Sequence, residues 1–581
     1  MRGYQHCHRR IPDLLKPDKL LSALHMRTST NAKANTIRLT RPRAGAWLKL
    51  RVHLDAFLLA PFAYLRTTWW RICGKRVRAR AHFAPLLAAS PRAYALWLEA
   101  EPELVTQPSG HAPIVAVIDA RDGDSDALKR TIDSLVSEDL PYDVARGTEN
   151  AMSKAEFENA AHTATSDGWL MPLTAGDILA PGAAASYRAA IKRLQSASSA
   201  PAVTVIYADD DIRLRSGRRI TPHFKPNWNA ELFRHFDYLT GACIIRANVE
   251  DAVSVNDDED WQGRLVRSAV DRGMRDGCTP IHWPGVLHHR RRRRPPTLLS
   301  AEKPASEMLP TVTVIVPTRN RVDLLRTCLN GLARTDYPGL DVIVVDNGSD
   351  DAETLTYLAE IKSPSVRIIR SPGPFNFSTL NNQAAAEANG ELLCLLNNDI
   401  EIIQPNWLQL MAAKAVQDDV GAVGARLLYP DGRIQHAGVV LGICGGAAHA
   451  HRLLSPEEPG YFRRHALPQY VSAVTAACLV VRRDRFEAVG GLDEANFAVA
   501  FNDVDLCLRL NQRGWQSFYE PRATLIHHES VSRGFDKDPT GAARLAKELA
   551  ALKRLWKTDE EVDTFHHPYL NRFSERFVVQ L

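Results

Sequence analysis

Three short patterns in the C-terminal half of this 581-residue chain hold residues with chemistry to offer. Leu396-Asn397-Asn398-Asp399 closes an apolar run, and Asp399 is a hard oxygen ligand of the kind Mg²⁺ or Mn²⁺ takes. Asn502-Asp503-Val504-Asp505 sets two acids at the head of an amphipathic run with Leu506, Leu508 and Leu510, where a carboxylate can act as a general base. His527-His528-Glu529-Ser530 ends a strand-like piece, and a neutral imidazole there would suit Mn²⁺ better than Mg²⁺. Upstream, Asp346 follows a buried-strand pattern and could accept hydrogen bonds from ribose hydroxyls or a base N–H. Each pattern alone has a plainer reading: a turn acid in Asp346-Asn347-Gly348-Ser349, an acidic helix cap, a surface histidine pair. Together they describe one reaction centre. A divalent ion held by Asp399 and a histidine would neutralise a departing diphosphate, while Asp503 takes the proton of an attacking hydroxyl.

The elements that must position these residues alternate between strand and helix. Val312 to Pro317 reads as a buried strand, and Leu324, Leu325, Cys328, Leu329 and Leu332 recur at helical spacing. Strands follow at 341–346, 366–369 and 391–396, with helices around 352–361 and 381–389. Such alternation predicts a doubly wound α/β fold with a mostly parallel sheet. Ligands of such sheets bind beyond the strands' C-terminal ends. Pro317-Thr318-Arg319-Asn320, Asp346-Asn347-Gly348-Ser349 and Asn397-Asn398-Asp399 all lie at such ends.

Residues 113–300 repeat the plan in weaker form. Ile114 to Asp119 reads as a strand, Leu128, Ile132 and Leu135 as a helix face, and Trp169 to Asp177 as the counterpart of the Asn-Asn-Asp strand. Val203 to Tyr207 is a later strand leading to Asp209-Asp210-Asp211. Arg290 to Arg294, followed by Pro295-Pro296, reads as an exposed, solvated linker between the copies.

Hydrophobic residues make up 45% of the chain and charged residues 24%, which excludes disorder over most of its length. The net charge of +5 is unevenly spread, since residues 1–80 carry many Lys and Arg but only Asp13, Asp18 and Asp55 as acids. Such an arm suits anionic lipid or nucleic acid. Nucleic acid is the weaker expectation, because the arginine run lacks interleaved aromatics. Ala56 to Leu65 is too short to span a bilayer and contains Pro61. Its flanks, Lys49, Arg51, Arg66, Arg71, Trp47, Trp69 and Trp70, suit a helix lying on an anionic membrane as well as one packed on the next domain. No two of the nine cysteines form a C-x-x-C pair, the pattern of a reduced cytosolic protein without structural zinc, and no signal peptide is expected at the basic N-terminus.

Residues 310–540 resemble the nucleotide-sugar-dependent family 2 glycosyltransferases of GT-A fold. The resemblance runs in order through Thr313-Val314-Ile315-Val316-Pro317-Thr318-Arg319-Asn320, Val345-Asp346-Asn347-Gly348-Ser349, Phe375-Asn376-Phe377-Ser378 with Asn381-Asn382, Asn397-Asn398-Asp399, Val474 to Cys478, Gly490-Gly491-Leu492-Asp493-Glu494, Asn502-Asp503 and His527-His528. Within that family the chain is most similar to two-domain proteins of O-antigen and surface-polysaccharide assembly, of which Asp431-Gly432-Arg433-Ile434-Gln435-His436-Ala437-Gly438 is also typical. The resemblance implies an inverting displacement from a nucleotide-sugar donor to a glycan or lipid-linked glycan acceptor. Asp346 would bind the base or ribose, with Pro317, Thr318 and Asn320 lining the pocket. Asn397 and Asn398 would contact the donor, Asp399 and His527 the metal (His527 ahead of His528), and Asp503 would be the base, with Asp505 structural. The expected organisation is a basic extension (1–110) with a membrane-surface helix, a degenerate transferase-like domain (111–300), the catalytic domain (310–560) and a tail (561–581). Acids 257–260 of the degenerate copy lack the Leu-rich helix that follows Asp503, and His288-His289 stand as a relic of the terminal histidines. The other reading is a non-catalytic scaffold or glycan-binding subunit.

Overall fold

The computed structural model describes residues 44–104, 112–145, 168–196, 203–246, 248, 260–298, 309–528 and 539–581. Expectations on the N-terminus before residue 44, on Asp257 to Glu259 and on Glu529-Ser530 lie outside the described residues.

Two sheets are built on one plan. The first comprises β1 (Ile114–Asp119), β2 (Tyr142–Ala145), β3 (Trp169–Thr174), β4 (Ile178–Leu179), β5 (Val205–Arg213), β6 (Arg219–His223), β7 (Cys243–Arg246) and β8 (Ile281–Arg290). Its order is β2-β1-β3-β7-β5-β8-β4, with β6 paired to β5. The second comprises β9 (Val312–Thr318), β10 (Leu340–Asp346), β11 (Val366–Arg370), β12 (Leu392–Leu396), β13 (Ile400–Ile402), β14 (Val420–Leu428) and β15 (Ile434–His436), then, after a small hairpin of β16 (Val439–Leu441) and β17 (Ala447–His449), β18 (Gln469–Val471), β19 (Cys478–Arg482) and β20 (Gln516–His527). Its order is β11-β10-β9-β12-β19-β14-β20-β13, with β15 on β14 and β18 on β20. From β2 to β4 in the first sheet and from β10 to β13 in the second, each neighbouring pair has the same sense.

The apolar runs explain the inner strands. Val312, Val314 and Val316 enter one core cluster and Ile315 the other, as the two-residue period of a strand requires. Leu392, Cys394 and Leu396 alternate with Leu393 and Leu395 in the same way, so a strand buried on both faces reads as a continuous apolar segment. The expected parallel register holds from β11 to β12. Beyond β12 the sheet is mixed, because β19 enters antiparallel between β12 and β14.

Two expectations need correction. Asp209, Asp210 and Asp211 do not follow a strand; they lie within β5 and are buried. The arginine run is not a solvated linker: Arg290 ends β8, and Arg290, Arg291, Arg293 and Arg294 meet Asp177, Asp122, Asp210 and Asp260. The helix after the acids near 260, Trp261–Arg275, carries one leucine, Leu265, and Asp260 caps it by accepting from the Gly263 N–H at 2.9 Å.

Residues 561–581, expected as a tail, strap the two bodies together. Leu570 and Phe577 join Tyr94, Trp97, Phe224, Val286 and Val440 in one cluster between them. His567 Nε2 lies 2.9 Å from Asp209 Oδ2, and His282 Nε2 lies 2.9 Å from Oδ1. The backbone N–H groups of Lys225 and Gly285 donate to the same carboxylate at 2.8 and 2.9 Å. Burial alone would raise the Asp209 carboxyl; the two histidines instead hold it far below the usual carboxylate range.

Candidate functional site

The strand ladder brings the acid and the histidine together. Asp399 precedes β13, and β13 pairs antiparallel with β20 so that Ile400 faces His527. His527 Nε2 lies 3.1 Å from Asp399 Oδ1, and both side chains are buried. Asn397 Nδ2 stands 3.4 Å from the same nitrogen. His528 points elsewhere, with Nε2 2.9 Å from Glu401 Oε2 at the surface. Asn398 donates to Thr318 Oγ1 at 3.0 Å, which ties the end of β12 to the end of β9.

Asp503 joins this group through the segment before β19. The Asn397 N–H donates to the Ala477 carbonyl, and one residue earlier the Ala476 N–H donates to Asp503 Oδ2, each at 3.0 Å. Asp503 Oδ1 accepts from Val504 N–H at 2.8 Å. Burial pushes the Asp503 carboxyl up, against the lowering effect of these N–H groups and of the Thr475 hydroxyl. A raised carboxyl that remains half-buried fits a base better than an ordinary Asp does. Asp505 is differently placed: Arg509 Nε and Trp556 Nε1 donate to its two oxygens at 2.8 and 3.0 Å.

Phe501 sits at φ 62°, a left-handed turn that brings Asn502 and Asp503 onto the first turn of helix Asn502–Gln512. Glu548, buried on helix Pro539–Trp556, accepts from Val499 N–H at 2.9 Å and Ala500 N–H at 3.1 Å and so fixes the approach to that turn. Sequence reasoning missed Glu548, which looks like any helix acid and finds its partners some fifty positions away in the chain. It also missed what the asparagines and the Gly-Gly segment do. Asn382 donates to Leu492 O and Glu494 Oε1 and accepts from Leu492 N–H, clamping helix Phe377–Ala386 to the Gly490-Gly491 turn. A Cβ at Gly491 would come within 2.6 Å of Asn382 Oδ1, at a φ of +70°.

The nucleotide-side residues lie at the ends of β9 and β10. Asp346 is fully buried; its Oδ1 accepts from Ser349 N–H at 2.9 Å, and Arg370 Nε stands 3.7 Å from Oδ2. Asn320, at φ 54°, donates its N–H to Ser349 Oγ and its side-chain amide to Asp350. Pro317 and Thr318 are buried at the end of β9.

Residues 313–490 match the family described as Glycosyl transferase family 2. The chain carries a family 2 glycosyltransferase domain. Its α/β fold is the GT-A arrangement expected of that family. The matched segment holds Asp346 and Asn397 to Asp399 and ends before Asp503 and His527. The chain is 36% identical to the uncharacterized protein y4gI of Sinorhizobium fredii, over 75% of this chain and 52% of that protein. It is 33% identical to the O-antigen biosynthesis protein RfbC of Myxococcus xanthus, over 64% of this chain and 32% of RfbC. The chain thus spans about half the length of the first and about a third of the second. It is 28% identical to the N-acetylglucosaminyl-diphospho-decaprenol L-rhamnosyltransferase of Mycobacterium tuberculosis, over 40% of this chain and 79% of that enzyme. Among solved structures, a mannosyltransferase of Pyrobaculum calidifontis in complex with GDP-Man and Mn²⁺ aligns at 19% identity and a TM-score of 0.34, covering 45% of this chain and 68% of that one.

Two places in the described residues could be weighed as metal sites. The ligand atoms of Asp209, His282 and His567 lie within 4.8 Å of one another. The His567 Nδ1, however, accepts from the Tyr569 N–H at 3.0 Å, so the neutral ring keeps its proton on Nε2, the atom facing Asp209. That trio is a proton-filled clasp between the bodies. In the transferase domain a carboxylate oxygen and an imidazole nitrogen face each other at 3.1 Å, a donor set that fits Mn²⁺ or Mg²⁺.

The first sheet answers the same position with its own side chains. Asp177 precedes β4, and Ile178 pairs with His289 as Ile400 pairs with His527. Asp177 has Arg290 Nε at 3.5 Å and accepts from Arg291 N–H at 2.9 Å. His289 Nδ1 turns to Asp211 Oδ1 at 2.8 Å.

Proposed function

We propose that this chain is an inverting, hexosyltransferase-type glycosyltransferase that moves a sugar from a nucleoside-diphosphate donor to a hydroxyl of a glycan or lipid-linked glycan acceptor, as in surface-polysaccharide assembly. The observation that carries this reading is the joining of Asp503 and the Asp399–His527 pair to neighbouring residues of one segment, Ala476-Ala477. Asp503 takes the proton from the acceptor hydroxyl. Asp346, with Pro317, Thr318 and Asn320, holds the base and ribose, and Asn397 and Asn398 face the donor. Asp399 and His527 would hold a divalent cation, which supplies positive charge to the leaving diphosphate when bound. The N-terminal body serves as a non-transferring partner that positions acceptor or catalytic domain.

The site of work under this reading is the cytosolic face of a membrane. Among the described residues no helix is long and apolar enough to cross a bilayer. The helices α1 (Ala44–Leu59), α2 (Pro61–Ile72) and α3 (Arg76–Ala88) nonetheless expose Trp47, Leu54, Leu58 (67%), Phe62 (87%), Leu65 and Trp69 (63%). Arg51 and Arg66 lie over the rings of Trp47 and Trp70, and Asp55, the sole acid of residues 44–88, is engaged by Ser90 and Arg92. Exposed apolar bulk ringed by cations suits an anionic lipid surface.

The test is a panel of nucleotide sugars scored by release of nucleoside diphosphate with and without Mn²⁺. Failure of every donor would put the scaffold or glycan-binding reading ahead.

A further inference from the structure

The segment Asp431 to Gly438 contains no residue used so far, yet it reaches the metal-facing histidine from behind. Asp431 and Gly432, the latter at φ +83°, turn the chain from β14 into β15; the Gly432 N–H donates to Tyr429 O at 2.9 Å and the Tyr429 N–H to Arg433 O at 2.8 Å. The β14–β15 pairing then slips. Leu427 faces His436 and Leu428 faces Ile434, so Gln435 is the extra residue of a bulge. A bulge re-aims the side chain it carries. Here Gln435, only 3% exposed, points Oε1 at His527 Nδ1, 3.0 Å away.

We infer that Gln435 is a positioning residue that sets the tautomer of His527. An amide oxygen accepts only, so it holds the proton on Nδ1 and leaves the lone pair of Nε2 facing Asp399 Oδ1 and the amide of Asn397. That is the form in which imidazole binds a cation, and the group on the far ring nitrogen fixes both tautomer and ring orientation. The neighbouring His436 does not compete. Its Nδ1 lies 2.7 Å from His449 Nδ1, and burial, with His449 and His527 nearby, drives it far below the usual range and keeps it neutral. The contribution of the turn is therefore geometric: Asp431 and Gly432 reverse the chain so that the bulge can deliver one amide oxygen.

This inference rests on the reading of Asp399 and His527 as cation ligands, and one experiment separates the two. Mn²⁺ affinity of the full chain is measured by electron paramagnetic resonance of free Mn²⁺, in the presence of GDP or UDP. Gln435→Met fills the same space without an acceptor and is expected to weaken Mn²⁺ binding by roughly 10–100-fold. Gln435→Glu keeps an acceptor and is expected to stay within about threefold of wild type. Thermal unfolding of each variant shows that the fold is retained. Wild-type affinity in Gln435→Met overturns the inference, as does equal weakening in Gln435→Glu, which would mean that the amide nitrogen faces the ring. If Asp399→Ala and His527→Ala also bind Mn²⁺ as wild type does, the cation site itself is overturned, and this inference with it.

Discussion

Replacing Asp503 by Asn should separate catalysis from stability, because the structure sets opposing effects on the fold and a one-sided effect on the reaction. The carboxylate accepts Ala476 N–H at 3.0 Å on one oxygen and Val504 N–H at 2.8 Å on the other. An Asn retains one oxygen, so one acceptor is lost, at a cost of about 1 kcal/mol. Against this, burial raises the Asp503 carboxyl above its unfolded value. For a group shifted upward, the stabilising contribution is full below the unfolded pKa of about 3.9 and is lost as pH rises through the folded one. At neutral pH the ionised side chain therefore weighs against folding, and a neutral amide removes that load. The two changes offset each other, and the urea midpoint of Asp503→Asn should correspond to a stability within about 1 kcal/mol of wild type. Loss of a general base, by contrast, lowers turnover by roughly 10²–10⁴-fold, about 3–5 kcal/mol of barrier. The assay is nucleoside diphosphate release at saturating donor and acceptor, followed across pH. Wild-type kcat/KM should fall on the acid side at a pH above that of an ordinary Asp, and this limb should vanish in the variant. Near wild-type turnover in Asp503→Asn would remove Asp503 from the mechanism.

Chelation with EDTA, or Asp399→Ala, should lower turnover by at least roughly 10²-fold, the scale of a lost charge-stabilising group, with Mn²⁺ restoring the chelated enzyme but not the variant. Leu58→Glu with Phe62→Glu should cut binding to phosphatidylglycerol vesicles by roughly 10²-fold in a flotation assay, since each apolar side chain contributes about 1.5–3 kcal/mol when buried; 0.5 M salt should weaken wild-type binding as well, and an unchanged double variant would remove α1 and α2 from the membrane contact. Asp177→Asn should leave Mn²⁺ affinity and turnover within about twofold of wild type, because Arg290 already stands against that acid; a larger change would give the N-terminal body a cation site of its own.

The inner strands and the order of the site residues were legible because both depend on local pattern. A strand covered on both faces must be apolar throughout, so Val312 to Val316 and Leu392 to Leu396 declare themselves. Residues at strand ends converge by topology, which placed Thr318, Asp346 and Asn398 at one edge without knowledge of any side-chain contact. What stayed hidden was partnership across long stretches of chain. Five consecutive arginines look solvated until the loop after β1, the turn between β3 and β4, and β5 bring Asp122, Asp177 and Asp210 to them. Glu548 and Trp556 act on Val499, Ala500 and Asp505, and nothing in a helix pattern announces the loop it will cap. The bulge at Gln435 was hidden for a related reason: a slip in register is a property of two strands, and a sequence shows one.

Under the proposed reading one plan keeps its chemistry in one copy and loses it in the other, and the two ladders differ where that reading needs them to differ. The ladder position is retained, an acid before the short strand and a histidine opposite that strand's first residue, in Asp399, Ile400 and His527 and again in Asp177, Ile178 and His289. Burial pushes the Asp177 carboxyl up, and a buried acid needs a positive partner. In the second sheet Asp399 faces the imidazole of His527 at 3.1 Å and feels the charge of Arg321, and the proposed cation would be held between that carboxylate and that imidazole. In the first, Arg290 and the Arg291 N–H meet that need from the residues directly after His289, while His289 itself is drawn to Asp211. A guanidinium built into the chain cannot leave and cannot be exchanged for a metal and its diphosphate. The same substitution that satisfies the electrostatics of the fold therefore closes the site. Under the proposed reading, in which the N-terminal body transfers nothing, one pair of arginines both satisfies its buried acid and occupies the place of a cation.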